Sequence, residues 1–431
     1  MTGNNIEDTR YNNTEVDKIS CLPENLIDLI FEKLPVQDAV RTRVLSKSWR
    51  YKWTKMSSVV LDKHFSEKFA KNEAFGHYGF FNISNQIFNF IKGPILKLHL
   101  HIPNMALDSF QEVDQWILSL SKAGVIRELV LTVLNQRYQL PCYFCCCLEL
   151  RMLELENCII KPPLDFQGFL YLENLCLRNI EFGTNLHGAI MNLPQLKMLK
   201  LVACTNVYNF KIKSTKLFWL VVLNCPDATL HQLVHSKCLG ALCIAIGKPI
   251  QGVERANLAS LLSNMPCLGD LIIDGYFLQF CIAENIPKWL PHPANCLEYL
   301  SLHNFKFGDL NQLQGVLCML RNSPNLERLD FDNQGLQNEQ LDVNPASTYL
   351  EASDCLDQNL NRLKTINIMH VERSRPVLVF IKLLLNHSPV LEKVSIRPSV
   401  TVDALEKYNF AKDVMQFPRA SAKAVLFYLD P

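Results

Sequence analysis

The chain has almost no net charge, little glycine and no long apolar run. Its 43 basic residues are balanced by 42 acidic ones, whereas a dedicated nucleic-acid binder is usually basic overall. The longest apolar run, at residues 238–246, is far shorter than the roughly 20 residues that cross a membrane. No apolar stretch that could act as a signal peptide follows the polar N-terminus. We therefore expect no membrane association, and a location in the cytoplasm or the nucleus.

The motifs of common catalytic and cofactor-binding sites are also missing. There is no glycine-rich phosphate loop, no GxSxG and no HExxH. Cys142 and Cys145 form one C-x-x-C pair in the cluster CYFCCC, but no second Cys or His pair follows at the spacing of a zinc site. His99 and His101 share one strand face, which we interpret as solvated because two ligands do not make a site. We expect no catalytic residue, no metal site and no cofactor, and interpret the chain as non-enzymatic.

Residues 21–53, CLPENLIDLIFEKLPVQDAVRTRVLSKSWRYKW, have the pattern of three short helices. Pro23 fits the first turn of a helix, and Pro35 ends that helix. Apolar residues recur along it at three- and four-residue spacing and predict one apolar stripe. The stripe consists of Leu22, Leu26, Ile27, Ile30 and Leu34.

Two shorter helices are predicted to follow. Asp38 can cap the second helix, in which Val40, Val44 and Leu45 would point inward. Ser46 can cap the third helix, which would carry two tryptophans, at 49 and 53, on one face.

The end of this segment is locally basic. The window from Ala39 to Leu61 holds six Lys or Arg residues and no Asp or Glu, and its basic residues are interleaved with aromatic ones. Such a window can grip a nucleic acid strand. It can equally belong to a small helical domain that docks on an acidic protein, and the residues alone leave both possibilities open.

The same segment resembles an F-box. It has two Leu-Pro pairs (residues 22–23 and 34–35), Asp38 and Arg41 between them and the closing motif, and the closing Leu-Ser-x-x-Trp-Arg-x-x-Trp at residues 45–53. The resemblance implies docking on an acidic Skp-family adaptor, which joins cullin and RING proteins in a ubiquitin ligase. The adaptor-binding role is carried onto Leu22, Pro23, Ile27, Ile30, Leu34, Pro35, Leu45, Ser46 and Trp49. Some of these residues must instead pack between the helices, and the sequence cannot divide the two sets.

A leucine phrase recurs through the rest of the chain, with apolar residues at its first, fourth and sixth positions (i, i+3 and i+5). Clear copies begin at Leu150, Leu196, Leu217 and Leu297. Looser copies begin at Ile95, Ile126, Leu172, Leu239, Leu268, Leu326, Leu363 and Leu391. From Leu150 to Leu239 the copies lie 21 to 24 residues apart. This is the pattern of leucine-rich repeats, whose strands stack over a shared core and curve into an arc. Cys158, Cys204 and Cys225 occupy position i+8, where we expect small buried side chains.

Residues at i+2, i+4 and i+6 are predicted to face the concave side of the arc, because side chains alternate along a strand. This register gives the outward set His99, His101, Glu154, Glu156, Arg178, Lys200, Trp219, Val221, Leu223, Ala241, Cys243, Ala245, Asp270, Asp274, Tyr299, Ser301, His303, Arg328, Asp330 and Asp332. The centre of the set is apolar and its flanks are charged, which is typical of a contact site. We hypothesise that Trp219 and Tyr299 anchor a substrate protein, with Val221, Leu223, His303, Arg328 and Asp330 around them. A register slip of one residue near residue 217 would instead bury Trp219.

The C-terminal region resembles the FBD region that follows leucine-rich repeats in plant F-box proteins. The resemblance lies in an apolar helix within residues 380–387, Ser388-Pro389, Leu391-Glu392-Lys393 and Ile396. Since repeat arrays need capping ends, we interpret this region as a cap.

We therefore predict an α/β solenoid similar to the plant F-box/FBD/leucine-rich-repeat family. A disordered polar tail (1–17) precedes a three-helix F-box (18–64), leucine-rich repeats (90–350) and an FBD-like cap (351–431). The predicted function is the substrate-recognition subunit of an SCF-type (Skp-cullin-F-box) ubiquitin ligase, with an unidentified protein substrate. The alternatives are an interaction scaffold or inhibitor without ubiquitin chemistry and, less favoured, a nucleic-acid-binding protein.

Overall fold

The computed structural model describes Ile19 and residues 21–430, apart from residues 48, 71–75, 105–109, 135, 184–189, 208–210, 226–236, 249–257, 283–288, 291, 334–344, 353–355 and 357. The predicted polar tail lies outside the described residues.

A single parallel sheet runs through the molecule. Within the described residues it has fourteen strands, in the spatial order β1 (Ser58–Leu61), β2 (Lys97–Ile102), β3 (Glu128–Val133), β5 (Met152–Glu156), β7 (Asn174–Arg178), β10 (Met198–Val202), β12 (Trp219–Leu223), β13 (Ala241–Ala245), β14 (Asp270–Asp274), β15 (Tyr299–His303), β16 (Arg328–Asp332), β17 (Thr365–Val371), β18 (Lys393–Pro398) and β19 (Val425–Tyr428). The spatial order therefore follows the chain order. The described residues also form two smaller parallel sheets. One contains β4 (Tyr138–Gln139), β6 (Cys158–Ile160) and β8 (Glu181–Phe182), and the other contains β9 (Ile190–Asn192) and β11 (Lys211–Lys213).

The predicted solenoid of leucine-rich repeats is confirmed by the strand positions. Each predicted copy of the leucine phrase, from Ile95 to Leu391, begins two residues before a strand of the large sheet. Two strands of that sheet carry no predicted copy. These are β1, which lies inside the predicted F-box range, and β19, which lies in the C-terminal tail.

Side chains alternate along the strands as the phrase requires. In β5, Leu153 and Leu155 are buried, while Met152, Glu154 and Glu156 are partly exposed. Each fully buried leucine contributes roughly 1.5–3 kcal/mol, so one copy of the phrase gains little stability alone, and stacked copies share the gain. We call the face formed by the outward residues of the strands the open face.

Several strands of the large sheet are followed by a residue with left-handed backbone. Asn157, Asn179, Asn224 and Asn304, each at position i+7 of its phrase, have φ of 60°, 50°, 53° and 51°. The backbone N–H of Asn157 donates to the backbone carbonyl of Arg178 at the end of the next strand (2.9 Å). Asparagine suits this position because it visits left-handed backbone more readily than other non-glycine residues.

Helices follow many of the strands, and their buried side chains join those of the strands in one continuous core. They are α1 (Glu24–Lys33), α2 (Val36–Arg41), α3 (Lys63–Ala70), α4 (Gly76–Phe90), α5 (Gln111–Ala123), α6 (Leu258–Ser263), α7 (Gly275–Cys281), α8 (Leu310–Arg321), α9 (Pro345–Glu351), α10 (Arg375–His387) and α11 (Ala404–Met415). None of the helices in the described ranges is long and apolar enough to cross a membrane.

The N-terminal segment differs from the predicted three helices. α2 begins directly after Pro35 instead of being capped by Asp38, which pairs with Arg41 (2.9 Å). A 3-10 turn at Thr42–Val44 follows α2 where the second predicted helix would continue, and a 3-10 turn at Lys52–Lys55 lies within the third predicted helix. The predicted inward orientation of Val44 and Leu45 is wrong, since their exposures are 81% and 56%.

The C-terminal region continues the sheet. α10 contains the predicted apolar helix, Ser388 follows it, and Leu391 precedes β18 as the repeat phrase requires. The tail then forms α11 and β19, which pairs with β18 in parallel.

Candidate docking surfaces

Helix α1 is apolar on two faces. Ile27 and Phe31 are buried in the core, whereas Leu26, Leu29 and Ile30 are exposed by 42%, 53% and 37%. A helix that served only as a cap would bury one stripe and cover the rest with polar residues. The second apolar face is therefore available for a partner.

The segment after α2 exposes apolar side chains as well. Val44, Leu45 and Tyr51 are largely exposed. We call the three exposed α1 residues together with Val44 and Leu45 the N-terminal apolar surface. Several exposed apolar side chains in so small a unit are unusual for a surface that stays in water.

The structure divides the nine predicted adaptor-binding residues into two sets. Ile27 and Trp49 are 3% and 1% exposed and serve internal packing. The Trp49 ring contacts that of Phe31 (centroids 5.8 Å apart), and the ammonium of Lys52 lies 4.9 Å from the Trp49 ring centroid. The other seven remain at least partly exposed: Leu22, Pro23, Ile30, Leu34, Pro35, Leu45 and Ser46.

Sequence reasoning missed part of the N-terminal apolar surface. The sequence places Leu26 in the apolar stripe without an adaptor-binding role, Val44 among the inward residues and Leu29 in neither set. Leu26 and Ile27 are neighbours, so spacing alone cannot decide which of them faces the core. The signal available was that α1 holds more apolar residues than one stripe can use.

Exposed basic residues lie in the same segment as this surface. Within the described part of the chain, Arg43, Lys47 and Arg50 form no ion pair, and all three are exposed. Lys55 pairs with Glu24 on α1 (2.9 Å), and its hydrogen bond holds the pKa of Glu24 below the ordinary value. The surroundings therefore favour an acidic partner.

Trp219 lies on the open face, as the predicted register requires. It is 50% exposed, and Val221 and Leu223 of the same strand are partly exposed, while Leu220 and Val222 are buried. This burial pattern excludes the one-residue slip.

Three residues of the predicted substrate-binding set are joined by hydrogen bonds and a cation–π contact. The Tyr299 hydroxyl donates to Asp330 (3.0 Å), and the Arg328 guanidinium donates to Asp330 and lies 5.0 Å from the centroid of the Tyr299 ring. Asn367 donates to the other oxygen of Asp330 (2.7 Å). Burial is the main cause that raises the pKa of Tyr299. His303 lies 3.3 Å from the hydroxyl of Ser301, so this side of the open face is preorganised.

Ala241 and two polar residues of the predicted outward set are buried. Asp274 is fully buried and caps α7, because the chain turns directly from β14 into that helix. It accepts hydrogen bonds from the amides of Phe277 and Gly247 (2.8 Å each), and burial raises its pKa. Ser301 is 3% exposed. Neither of the two polar residues can serve as an open-face contact.

The two histidines at the start of the open face are partly buried, whereas the sequence predicts that they are solvated. His101 Nδ1 lies 2.7 Å from the Ser66 hydroxyl, and His99 Nε2 lies 3.6 Å from Glu128. Burial is the largest cause that lowers the pKa of both.

The three cysteines at position i+8 of the phrase occupy structural positions. Cys158, Cys204 and Cys225 are buried, as position i+8 predicts. In the CYFCCC cluster, Cys145 and Cys147 are buried, and burial raises the pKa of each thiol to about 12. The described residues contain no group of three or more His, Cys, Asp or Glu side chains that could hold a metal ion.

The fold and the N-terminal segment define the class of the protein, a leucine-rich-repeat solenoid with an F-box at its start. Residues 19–61 match the F-box domain family, and residues 91–239 match the family described as At1g61320/AtMIF1, LRR domain.

Full-length relatives carry the same combination. The chain is 28% identical over 425 residues to the F-box/FBD/LRR-repeat protein At1g13570 of Arabidopsis thaliana, covering 96% of this chain and 98% of the relative. It is 22% identical over 454 residues to the F-box/FBD/LRR-repeat protein At5g56420 of the same plant, covering 96% and 99%. The similarity to plant F-box/FBD/leucine-rich-repeat proteins, predicted from the sequence, is confirmed.

Proposed function

We propose that this protein is a non-catalytic substrate-recognition subunit of an SCF-type ubiquitin ligase, working in the cytoplasm or the nucleus. The F-box docks on a Skp-family adaptor and through it on cullin and RING proteins, and the leucine-rich repeats hold a protein substrate. The mechanism is proximity, because a bound substrate's lysine is held near the charged ubiquitin carrier at high effective concentration.

The N-terminal apolar surface is the observation that carries this proposal. Burying its five aliphatic side chains against an adaptor would remove apolar area from water, which stabilises a complex by roughly 25 cal/mol per Å² before the costs of association. Exposed Arg43, Lys47 and Arg50 complement an acidic adaptor and would speed encounter more than they raise affinity.

A pull-down of the full chain with a purified Skp-family adaptor tests adaptor docking. Leu45→Glu places a charge in the proposed contact, so adaptor binding should fall at least about tenfold. Leu164→Glu is the matched control, because Leu164 is also exposed (88%) but lies outside the N-terminal segment. Retained binding by Leu45→Glu, or no binding by the folded wild-type chain, would rule out docking through this surface.

The salt dependence of binding separates adaptor docking from nucleic-acid binding. Phosphate contacts release counterions, so nucleic-acid affinity falls steeply as salt rises. An apolar docking surface should hold its adaptor between low and physiological salt. A nucleic-acid affinity with a steep salt slope, together with no adaptor binding, would favour the alternative function.

A further inference from the structure

A groove runs along strand β13 on the open face. The outward residues of β13 are Ala241, which is only 9% exposed, and the partly exposed Cys243 and Ala245, so the side chains that form its floor are all small. Residues of β12 and β14 stand in register on either side and form the walls. Since neighbouring strands lie about 4.8 Å apart, the two walls are separated by roughly 10 Å, which leaves room for one long side chain.

The two walls differ in chemistry. On β12 the wall consists of Trp219 and Val221, and Trp219 is half exposed. On β14 it consists of Asp270 and Ile272, and Asp270 is exposed. Trp219, Ala241 and Asp270 lie directly opposite one another across the three strands. An aromatic side chain and a carboxylate therefore stand on opposite sides of a floor of small residues.

No described cation of the open face pairs with the carboxylate of Asp270, so the carboxylate can pair with a cation of a partner. In the described part of the chain Asp270 forms no ion pair, whereas Arg328, two strands away, is held by Asp330. Lys200 lies beyond the β12 wall, with Val221 between it and Cys243. Among the described residues, the acidic wall therefore has no cation paired with it.

We propose that this groove binds a lysine or arginine side chain of an extended segment of a partner protein. The aliphatic stem lies on Cys243, the cation reaches across Ala241 to pair with Asp270, and its charge also meets the ring of Trp219. The inference rests on the proposed substrate-binding role of the repeats and adds to it the chemical class that is recognised. An acidic or purely apolar occupant would leave Asp270 uncompensated.

Selection from a random-sequence peptide library on the immobilised full chain tests the groove. Peptides enriched on the wild-type chain should carry Lys or Arg. Asp270→Lys should shift the enrichment toward Asp and Glu. A selected basic peptide should bind Trp219→Ala or Asp270→Lys more than about tenfold more weakly. Glu149→Lys, which adds the same charge before β5, should bind it like the wild type.

Enrichment without basic residues, no enrichment, or basic peptides whose affinity is unchanged in both groove variants would overturn the proposal. Circular dichroism and the unfolding midpoint establish that each variant is folded. Adaptor pull-downs on the same preparations separate the two proposals. Intact adaptor binding without basic peptides defeats only the groove, whereas groove binding without adaptor binding defeats only the ligase role.

Discussion

At the scale of single residues, the repeat phrase predicts orientation well and backbone conformation poorly. Leu153, Leu155 and Cys158 are buried as their positions in the phrase require, because alternation along a strand is a local property. The left-handed turn at i+7 is less visible in the sequence, since the position holds asparagine in several copies but Ala203 in another, with φ of 52°. Orientation itself is mispredicted at Asp274, which is buried as the cap of α7, because a cap depends on where the following helix begins.

Ala203 is a site where the chain departs from its own repeat, and Ala203→Asn should stabilise it. Left-handed backbone costs an ordinary residue roughly 1–2 kcal/mol, and asparagine bears it better. Ala203 is exposed, so a larger side chain meets no core atom. We expect a gain of about 0.5–1 kcal/mol, measured as a higher midpoint of urea unfolding.

The converse substitution is the control. Asn304 has φ of 51° at the equivalent position, and Asn304→Ala should lower the unfolding midpoint. If Ala203→Asn lowered the midpoint too, the asparagines would serve their side-chain contacts and not the backbone conformation.

At the scale of elements, strands of the repeats are predictable and the N-terminal helices are less so. A strand phrase that recurs along the chain marks each strand independently, and each copy supports the others. Helix α1 was correctly predicted to exist, but its inward face was not, because apolar residues occupy both faces. β1 and β19 also pair with their neighbours along the chain, but they were missed because Met56 and Lys423 stand where the predicted copies of the phrase begin with leucine or isoleucine.

The two faces of α1 should separate stability from binding. Ile27→Ala removes a buried side chain and should cost roughly 2–5 kcal/mol of stability, whereas Leu29→Ala removes an exposed one and should change stability by less than about 0.5 kcal/mol. Leu29→Ala should lower adaptor affinity more than Ile27→Ala does, since Leu29 lies on the N-terminal apolar surface. Thermal unfolding and adaptor affinity, measured on the same soluble variants, check both orders. Equal losses of stability in the two variants would show that Leu29 packs internally.

At the scale of the whole molecule, the regions recognised in the sequence share one core. Trp53 of the F-box contacts Phe90 of α4 (centroids 5.9 Å apart), and Phe380 of α10 contacts Phe307 and Phe331 (5.6 and 5.5 Å). The predicted boundaries at 64 and 350 follow changes of motif, and composition cannot report whether side chains pack across them. The large sheet passes both positions, from β1 to β19.

Truncated chains therefore test whether the core is continuous across residue 350. A chain that ends at residue 350 leaves β16 as the edge and uncovers Phe307 and Phe331, so we expect it to aggregate on expression. A chain that ends at Ser421 loses only β19, whose outward Val425 and Phe427 are already about half exposed, and it should stay soluble. Size-exclusion chromatography of both truncations beside the full chain is the measurement. A monodisperse, folded chain of residues 1–350 would mean that the repeats close at β16 and that the C-terminal region packs on them as a separate domain.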